Sequence, residues 1–375
     1  DELGLGGDVR WAPASSSFFV DGRLTRFTTP LDFARFPAVG AIDKLRLAAT
    51  IRYAGRMSDA QLLAVREQPI ETWLRERSGD VAFERLWRPL LQAKLGERYD
   101  RVSASFIVAT MRRLYAGEAG GRARGHGYVR GGYARILERC VSQLADERVT
   151  VECGLGVERI EPVPGAGVAV VSGGIRRVYD AAVLTVPPPV AVGLVPSLPE
   201  RERDAWMRVH YRGVLCLSLL LDRALGDSYL TYIADERIPF TAIVETSNIV
   251  DPADLGGNHL VYLPKYVLHD DEYHVLDDEN VGLRFTAALP LIHRNFDPRS
   301  VLAMRLSRVK DVYAPPTIDD VQPLPFTTGL DGVFLASSAQ IVDGTLNVNQ
   351  TLELADRAAT TVCERTAPSM VRGAA

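Results

Sequence analysis

The chain has 375 residues, of which 47% are hydrophobic and 24% charged, and its formal charge is −4 at pH 7. That is a globular composition with length for two domains, and it excludes a disordered chain. The 43 Lys and Arg residues are scattered, so no basic stripe points to nucleic acid or to an anionic membrane.

Residues 9–28 read as β, with Asp21-Gly22 between two short apolar runs as the turn of a type I′ hairpin. Residues 31–116 read as mostly helical. Ser58 and Gln61 form a capping box that opens a helix stopped by Pro69. Val81, Phe83, Leu86, Trp87, Leu90 and Leu91 make an apolar stripe at helical spacing, and Ile107, Met111 and Leu114 make another. The glycine- and arginine-rich stretch Gly117 to Gly127 marks a boundary. After Gly131-Gly132, "YARILERCVSQLADE" places Ile136, Leu137, Cys140, Val141 and Leu144 on one face of a helix.

Three short β runs follow, "VTVEC", "GVERIEPV" and "GVAVVSG", then "RRVYD" and the apolar strand "AAVLTV", halted by Pro187-Pro188-Pro189. "GVLCLSLLLD" reads as a buried strand. "YLTYIAD", "FTAIVET" and "HLVYLPKYV" alternate apolar and polar residues, which fits a large antiparallel sheet with one covered face. "VGLRFTAALPLIH" reads as a helix. The last segment runs from the strand "GVFLASSAQI" through the turn "VDGTLNVN" into the helix "QTLELADRAATTVCERT", with Asn349 as its N-cap and Leu352, Leu354, Ala355, Ala358, Ala359 and Val362 as its packed face.

Cys140, Cys153, Cys216 and Cys363 lie far apart with no CxxC, so neither a zinc site nor a disulfide framework is indicated, and a reducing, cytoplasmic setting is expected. No apolar run approaches the roughly 18 residues of a spanning helix, so no integral membrane segment is expected. No GxSxG, HExxH or P-loop pattern supports a hydrolase or an NTPase. "HDDEYH" (His269 to His274) reads as a solvated acidic loop rather than a metal site. Tyr232, Tyr262 and Tyr266 either pack the sheet or wall a substrate cavity. Arg122, Arg124 and Arg130 read as linker charges, and His126 and His210 as structural histidines.

The strongest chemical signal is the terminal strand, turn and helix. A helix N-terminus presents unpaired N–H groups and a partial positive charge, and small residues before it (Ser337, Ser338, Gly344, Thr345) let backbone approach a ligand closely. The order "HGYVRGGYARILERCVSQL", "GVERIEPV", "YDAAVLTVPPPV" and "GVFLASSAQIVDGTLNVNQTLELADRAA" resembles the flavin-dependent amine oxidase superfamily, in its protoporphyrinogen-oxidase-like branch, over most of the chain.

The resemblance implies FAD as cofactor. Val157 lies in the stretch similar to the family strand that holds the adenine end. Thr185 and Pro187, with Val186, match the strand end beside the dinucleotide. Ser337 and Ser338 stand where the family usually carries an acidic residue or Gly-Asp beside the ribityl chain. Leu346, Asn347, Asn349, Gln350 and Thr351 match the turn and helix start that face the flavin's pyrimidine edge. Lys265 is the candidate for the family's lysine-bound water near N5, against the plain reading of a strand lysine facing solvent; Tyr262 is the second catalytic candidate.

One departure is large. The family opens with a strand, a GxGxxG turn and a helix that hold the pyrophosphate. "GLGG" at residues 4–7 lacks that spacing, and the chain opens at Asp1 without an initiator Met. A nucleotide-binding unit upstream is therefore expected to be missing, either because these residues are a fragment or because the unit was lost, and these 375 residues alone are expected to bind FAD poorly.

The expected fold is α/β (mixed α+β) with two interleaved domains. A substrate domain of antiparallel sheet plus helical cap takes residues 1–116 and 191–324. An FAD-binding domain takes 117–190 and 325–375, its GxGxxG unit absent. The expected function is oxidation of a small-molecule substrate by hydride transfer to flavin. The alternatives are a non-redox flavin isomerase of the sugar-nucleotide mutase type, and a remnant that binds no flavin.

Overall fold

The computed structural model describes residues 2–119, 126–319 and 322–366. Its first strands are β1 (Val9–Ala12), β2 (Ser16–Val20) and β3 (Arg23–Arg26). Asp21 and Gly22 join β2 to β3 with φ of 50° and 70°, the pair of positive values that a type I′ turn requires. Seven helices follow: α1 (Pro30–Arg35), α2 (Ala41–Ala54), α3 (Asp59–Ala64), α4 (Ile70–Ser78), α5 (Asp80–Ala82), α6 (Arg88–Leu95) and α7 (Ala104–Ala119). Ser58 and Gln61 form the expected capping box on α3. That helix ends at Ala64, five residues before Pro69, because tight turns at Val65 and Arg66 close it. Pro69 instead caps α4.

Next come β4 (His126–Val129), α8 (Gly132–Asp146), β5 (Val157–Val163), β6 (Gly167–Ser172), β7 (Ile175–Tyr179), β8 (Ala182–Leu184), α9 (Pro188–Leu194) and α10 (Glu200–Met207). The segment 149–153, expected as a strand, forms none, since no neighbour offers it a ladder. The chain continues through β9 (Arg212–Leu221), β10 (Leu230–Ile233), β11 (Ala242–Glu245), β12 (His259–Val267), α11 (Asp278–Ile292), β13 (Val301–Tyr313), β14 (Val333–Leu335) and α12 (Val348–Thr366). Most of the Gly117–Gly127 boundary, with Arg122 and Arg124, and the side chain of Leu114 lie outside the described residues. No described helix is long and apolar enough to cross a membrane.

One seven-stranded sheet, in the order β13-β9-β12-β11-β10-β2-β3, dominates the molecule. Its pairs are antiparallel except β10 with β2, so the first hairpin enters this sheet from far away in the chain. One face is a closed core. Leu215, Leu217, Leu219 and Leu221 of β9 and Val261, Leu263 and Val267 of β12 pack under Val281, Phe285, Leu289 and Ile292 of α11. Beyond the sheet, Trp73, Leu74, Phe83, Leu91, Leu95 and Ile107 form the core of the helical cap.

The second body is smaller. β5, β6 and β7 form an antiparallel sheet, and β8 pairs with β14 in parallel. Ile160, Val168, Leu184, Trp206, Val333 and Leu335 bind these pieces into one cluster. A parallel pair this short ordinarily sits inside a larger covered sheet, yet Val183 of β8 is exposed. β1 pairs with β4, and Arg135 of α8 bonds Asp8, so the first dozen residues join the segment after 117 rather than the large sheet.

Candidate functional site

The second face of the large sheet is built differently from the core face. β9 alternates buried and half-buried residues without interruption, and the half-buried set points away from α11. The register sets out three rows on that face. Leu230, Val244, Tyr262, Ser218 and Arg305 lie across one; Tyr232, Ala242, Cys216 and Ser307 belong to the second; Tyr266, Val214 and Val309 lie across the third. Tyr232 stacks on Phe18 of β2 with centroids 4.8 Å apart. Burial pushes the Tyr232, Tyr262 and Tyr266 phenols up, so all three stay protonated near neutral pH. The tyrosines give an apolar wall with polar tips, the surface that an uncharged organic body prefers.

At one end this wall meets the helical cap. Tyr266 and Tyr313 make an edge contact at 5.6 Å, and Phe106 of α7 stacks on Tyr313 at 6.4 Å. The Tyr313 hydroxyl donates to the Lys94 carbonyl at 2.9 Å. The Lys94 ammonium lies 5.3 Å from the Phe106 ring and 5.7 Å from the Tyr266 ring. Burial, helped by Arg113, lowers its pKa to about 8.

The same corner touches the smaller body. Ser105, beside Phe106, donates to the Val342 carbonyl at 3.3 Å, and Tyr211, directly before β9, shares a hydrogen bond of 2.9 Å with Ser337. Arg66 and Asp343 form an ion pair across this boundary. The tyrosine wall therefore ends where β14 runs into the turn before α12.

That turn is shaped by two local constraints. A Cβ on Gly344 would fall 2.3 Å from the Gln350 side-chain oxygen, so any larger residue there would have to push that side chain aside. Asn347, not Asn349, caps α12: its side chain accepts from the Gln350 N–H at 3.2 Å, and its carbonyl takes the Thr351 N–H at 3.0 Å and the Thr351 hydroxyl at 2.9 Å. The N–H groups of Val348 and Asn349 have no partner among the described residues. Leu346, Val348 and Asn349 are exposed and Gln350 half-buried.

The carboxyl ends of β8 and β14 lie side by side, Leu184 opposite Leu335. In parallel α/β sheets this is the end that binds nucleotides. Thr185 is exposed there, and Pro187 caps α9. Val157, exposed at the start of β5, lines a shallow recess of about 290 Å³ with Leu155, Val170 and Arg177. The unpartnered N–H groups at Val348 and Asn349 and an exposed strand end at Thr185 fit a flavin nucleotide's polar ring edge and linker.

Ser337 does not fit as a ribityl contact. Its side chain is buried and spent on Tyr211 and on the N–H of Ala339. Ser338 is half-buried, 3.3 Å from the Tyr211 hydroxyl. Lys265 is turned to the core face of the sheet. It pairs in register with Leu215, and its ammonium lies 4.6 Å from the Tyr273 ring beneath α11. It shares no face with Tyr262, and a strand's period of two is the reason. The lysine of the tyrosine wall is Lys94, which in the sequence is one more lysine on an amphipathic helix.

The remaining candidates have structural work. His269 pairs with Asp311 at 2.8 Å, His274 bonds the Leu268 carbonyl, Asp271 caps a short turn, and Glu272 pairs with Arg284. No His, Cys, Asp and Glu cluster suited to a metal occurs among the described residues. Arg130 reaches Asp254 at 3.4 Å, and His126 lies against the Tyr229 ring. His210 is exposed.

α8 is exceptional. Its apolar stripe, which the sequence marks plainly, is bare: Tyr133 is 69% exposed and Leu137 61%, with Val141 and Leu144 exposed beside them. None of its fifteen residues is buried.

The family model of flavin containing amine oxidoreductases matches residues 4–363. No match is found among curated proteins. Among solved structures, the chain is similar to a candidate protoporphyrinogen oxidase from Exiguobacterium sp. 255-15, with a TM-score of 0.70, 17% identity, and coverage of 97% of this chain and 83% of that one. It is similar to cyclohexylamine oxidase from Brevibacterium oxydans IH-35A, with a TM-score of 0.62, 17% identity, and coverage of 97% and 83%. It is also similar to reduced UDP-galactopyranose mutase, with a TM-score of 0.62, 14% identity, and coverage of 95% and 72%.

Proposed function

We propose, from the premise that the chain belongs to the flavin containing amine oxidoreductase family, that it oxidises a small organic substrate held between the tyrosine wall and the turn before α12. The flavin, when bound, supplies the two-electron acceptor for a hydride leaving the substrate. This chain's residues do the rest. Tyr232, Tyr262 and Tyr266 present an apolar surface that orients the substrate and excludes water. The N–H groups of Val348 and Asn349 offer fixed dipoles to an electron-rich ring edge. The contact of Tyr211 with Ser337 and the Arg66–Asp343 pair fix the two bodies against each other. No dedicated base is needed for such a reaction, which agrees with the lack of a catalytic dyad among the described residues of this wall.

The observation that carries the reading is the contrast between the two faces of one sheet. A face bearing three tyrosines is left half-covered at the junction with a nucleotide-type strand pair, while the other face is closed.

The pyrophosphate half of the nucleotide has no holder among the described residues. We infer that a strand-and-helix unit outside these 375 residues covers the bare stripe of α8 and extends the β8–β14 pair. The exposed stripe of α8 and, separately, a parallel pair of only two strands support that assignment.

The test is a visible spectrum of the protein with its natural flanking sequence and of the 375 residues alone. The longer protein is expected to carry flavin absorbance that anaerobic substrate bleaches, and the shorter chain to be nearly colourless. A folded, colourless longer protein overturns the flavin reading. Turnover without net bleaching favours an isomerase over an oxidase.

A further inference from the structure

The corner around Lys94 is more selective than a generic substrate wall, and the selectivity proposed for it rests on the reading of that wall as the substrate surface. Lys94 is held by ring faces alone. Its ammonium sits over Phe106 and Tyr266, with no hydrogen bond or ion pair among the described residues. The charged group that acts on it is Arg113 of α7, which also acts on Tyr232. The other titratable groups facing it are phenols, Tyr266 of β12 and Tyr313 of β13. Two further cations belong to the same face of the sheet. Arg305 is exposed and in register with Ser218, and Arg212 is in register with Tyr313. The Arg212 Nε is buried with no hydrogen-bond partner among the described residues; Tyr313, Arg98 and, in the loop after β12, Asp270 act on its charge.

A half-buried ammonium without a counter-ion is costly, and a carboxylate brought against it repays desolvation that the fold has already suffered. Lys94 and the neighbouring Arg113 do the opposite to an incoming ammonium, which meets like charge in a low-dielectric setting. We propose that Lys94 is the anchor for a carboxylate, and that the site takes an amphipathic carboxylic acid whose apolar body lies along Tyr232, Tyr262 and Tyr266, in preference to an amine. The anchor and the wall are joined through Tyr266, which touches Lys94 with its ring and stands in the third row of the wall. Cyclohexylamine oxidase, a neighbour in fold, is named for the opposite charge. The departure is therefore one of charge selection on a shared scaffold.

The test uses two probes of one shape and opposite charge, 4-phenylbutyrate and 4-phenylbutylamine, titrated calorimetrically into the protein with its natural flanking sequence. At pH 7 the acid is expected to bind at least about tenfold tighter than the amine. Its affinity is expected to fall by a similar factor between pH 7 and pH 9.5, because Lys94, with a pKa of about 8, loses its charge across that interval. Lys94→Met is expected to abolish the preference and Lys94→Arg to keep it. An equal or tighter amine, an acid affinity flat across this pH range, or a folded Lys94→Met protein that still prefers the acid overturns the proposal. Should Lys94→Met fail to fold, the pH profile of the unmodified protein decides alone. Heat of binding reports without flavin. A colourless protein that prefers the acid sinks the flavin reading and leaves the anchor standing, and a flavin-loaded protein that prefers the amine does the reverse.

Discussion

α8 and α11 are both fifteen residues long and both carry an apolar stripe at helical spacing. α11 buries Val281, Phe285, Ala288, Leu289 and Ile292 against the large sheet, and α8 buries nothing. The lesson is that a stripe announces that something will cover a helix without saying what. For α11 the cover is in the same chain, a sheet face whose β9 leucines recur every second residue. For α8 the expected cover is a unit outside the described residues. Stability in the two regions accordingly answers to different partners.

The largest test of that contrast is a pair of truncations. Phe285→Ala is expected to cost about 3–5 kcal/mol in denaturant unfolding, because the ring is fully buried and its neighbours cannot all collapse into the space. Leu137→Ala in the same 375 residues is expected to stay within about 0.5 kcal/mol. In the protein with its natural flanking sequence the second substitution should become costly. If it stays silent there, nothing covers α8.

The covered region also penalises charge, which the bare one does not. Glu245 lies on the core face, and burial pushes its carboxyl up to about 7 although the N–H groups of Leu225 and Gly226 donate to it at 2.8 and 2.9 Å. Its folded pKa exceeds the unfolded value near 4.5, so the protonated form belongs to the fold. That contribution is fully present below about pH 4.5 and is lost as pH rises through about 7. Its loss is worth roughly 3 kcal/mol at about 1.36 kcal/mol per pKa unit. Glu245→Gln is expected to flatten stability between about pH 5 and pH 8, measured by urea midpoints. An unchanged slope would show that Glu245 ionises freely where it lies.

The smallest effect sharpens the contrast within one turn. Asn347→Ala removes the cap of α12 and is expected to cost about 1 kcal/mol, while Asn349→Ala is expected to leave stability unchanged, both by thermal melts. In the flavin-loaded protein the first substitution should also loosen the cofactor, seen as flavin released on dilution. A larger cost for Asn349→Ala than for Asn347→Ala would return the cap to Asn349.

Much of the architecture is legible in local pattern. The Asp21-Gly22 hairpin, the Ser58 capping box, most strands of the tyrosine-rich sheet and the terminal strand, turn and helix follow from turn chemistry, capping and periodicity, which act over a few residues; β13, whose burial does not alternate cleanly, does not. Lys265 marks the limit of such reasoning. A strand lysine among tyrosines reads as facing solvent or, by the family resemblance, as catalytic, but a strand alternates its faces, and the register sends Lys265 under α11 and leaves Tyr262 on the other side. Lys94 gives no signal at all, because its rings come from α7 and β12, far apart in the chain.

The sequence alone determined most of the helices and strands, though not β13, and that the large sheet has a closed face. Only the tertiary structure decided that β2 lies beside β10, that Ser337 is spent on Tyr211, that Lys94 rather than Lys265 faces the tyrosine wall, and that α8 is bare. Propensity and periodicity are properties of neighbours in sequence. The partner of a side chain is set by which distant surfaces the whole chain must bury together.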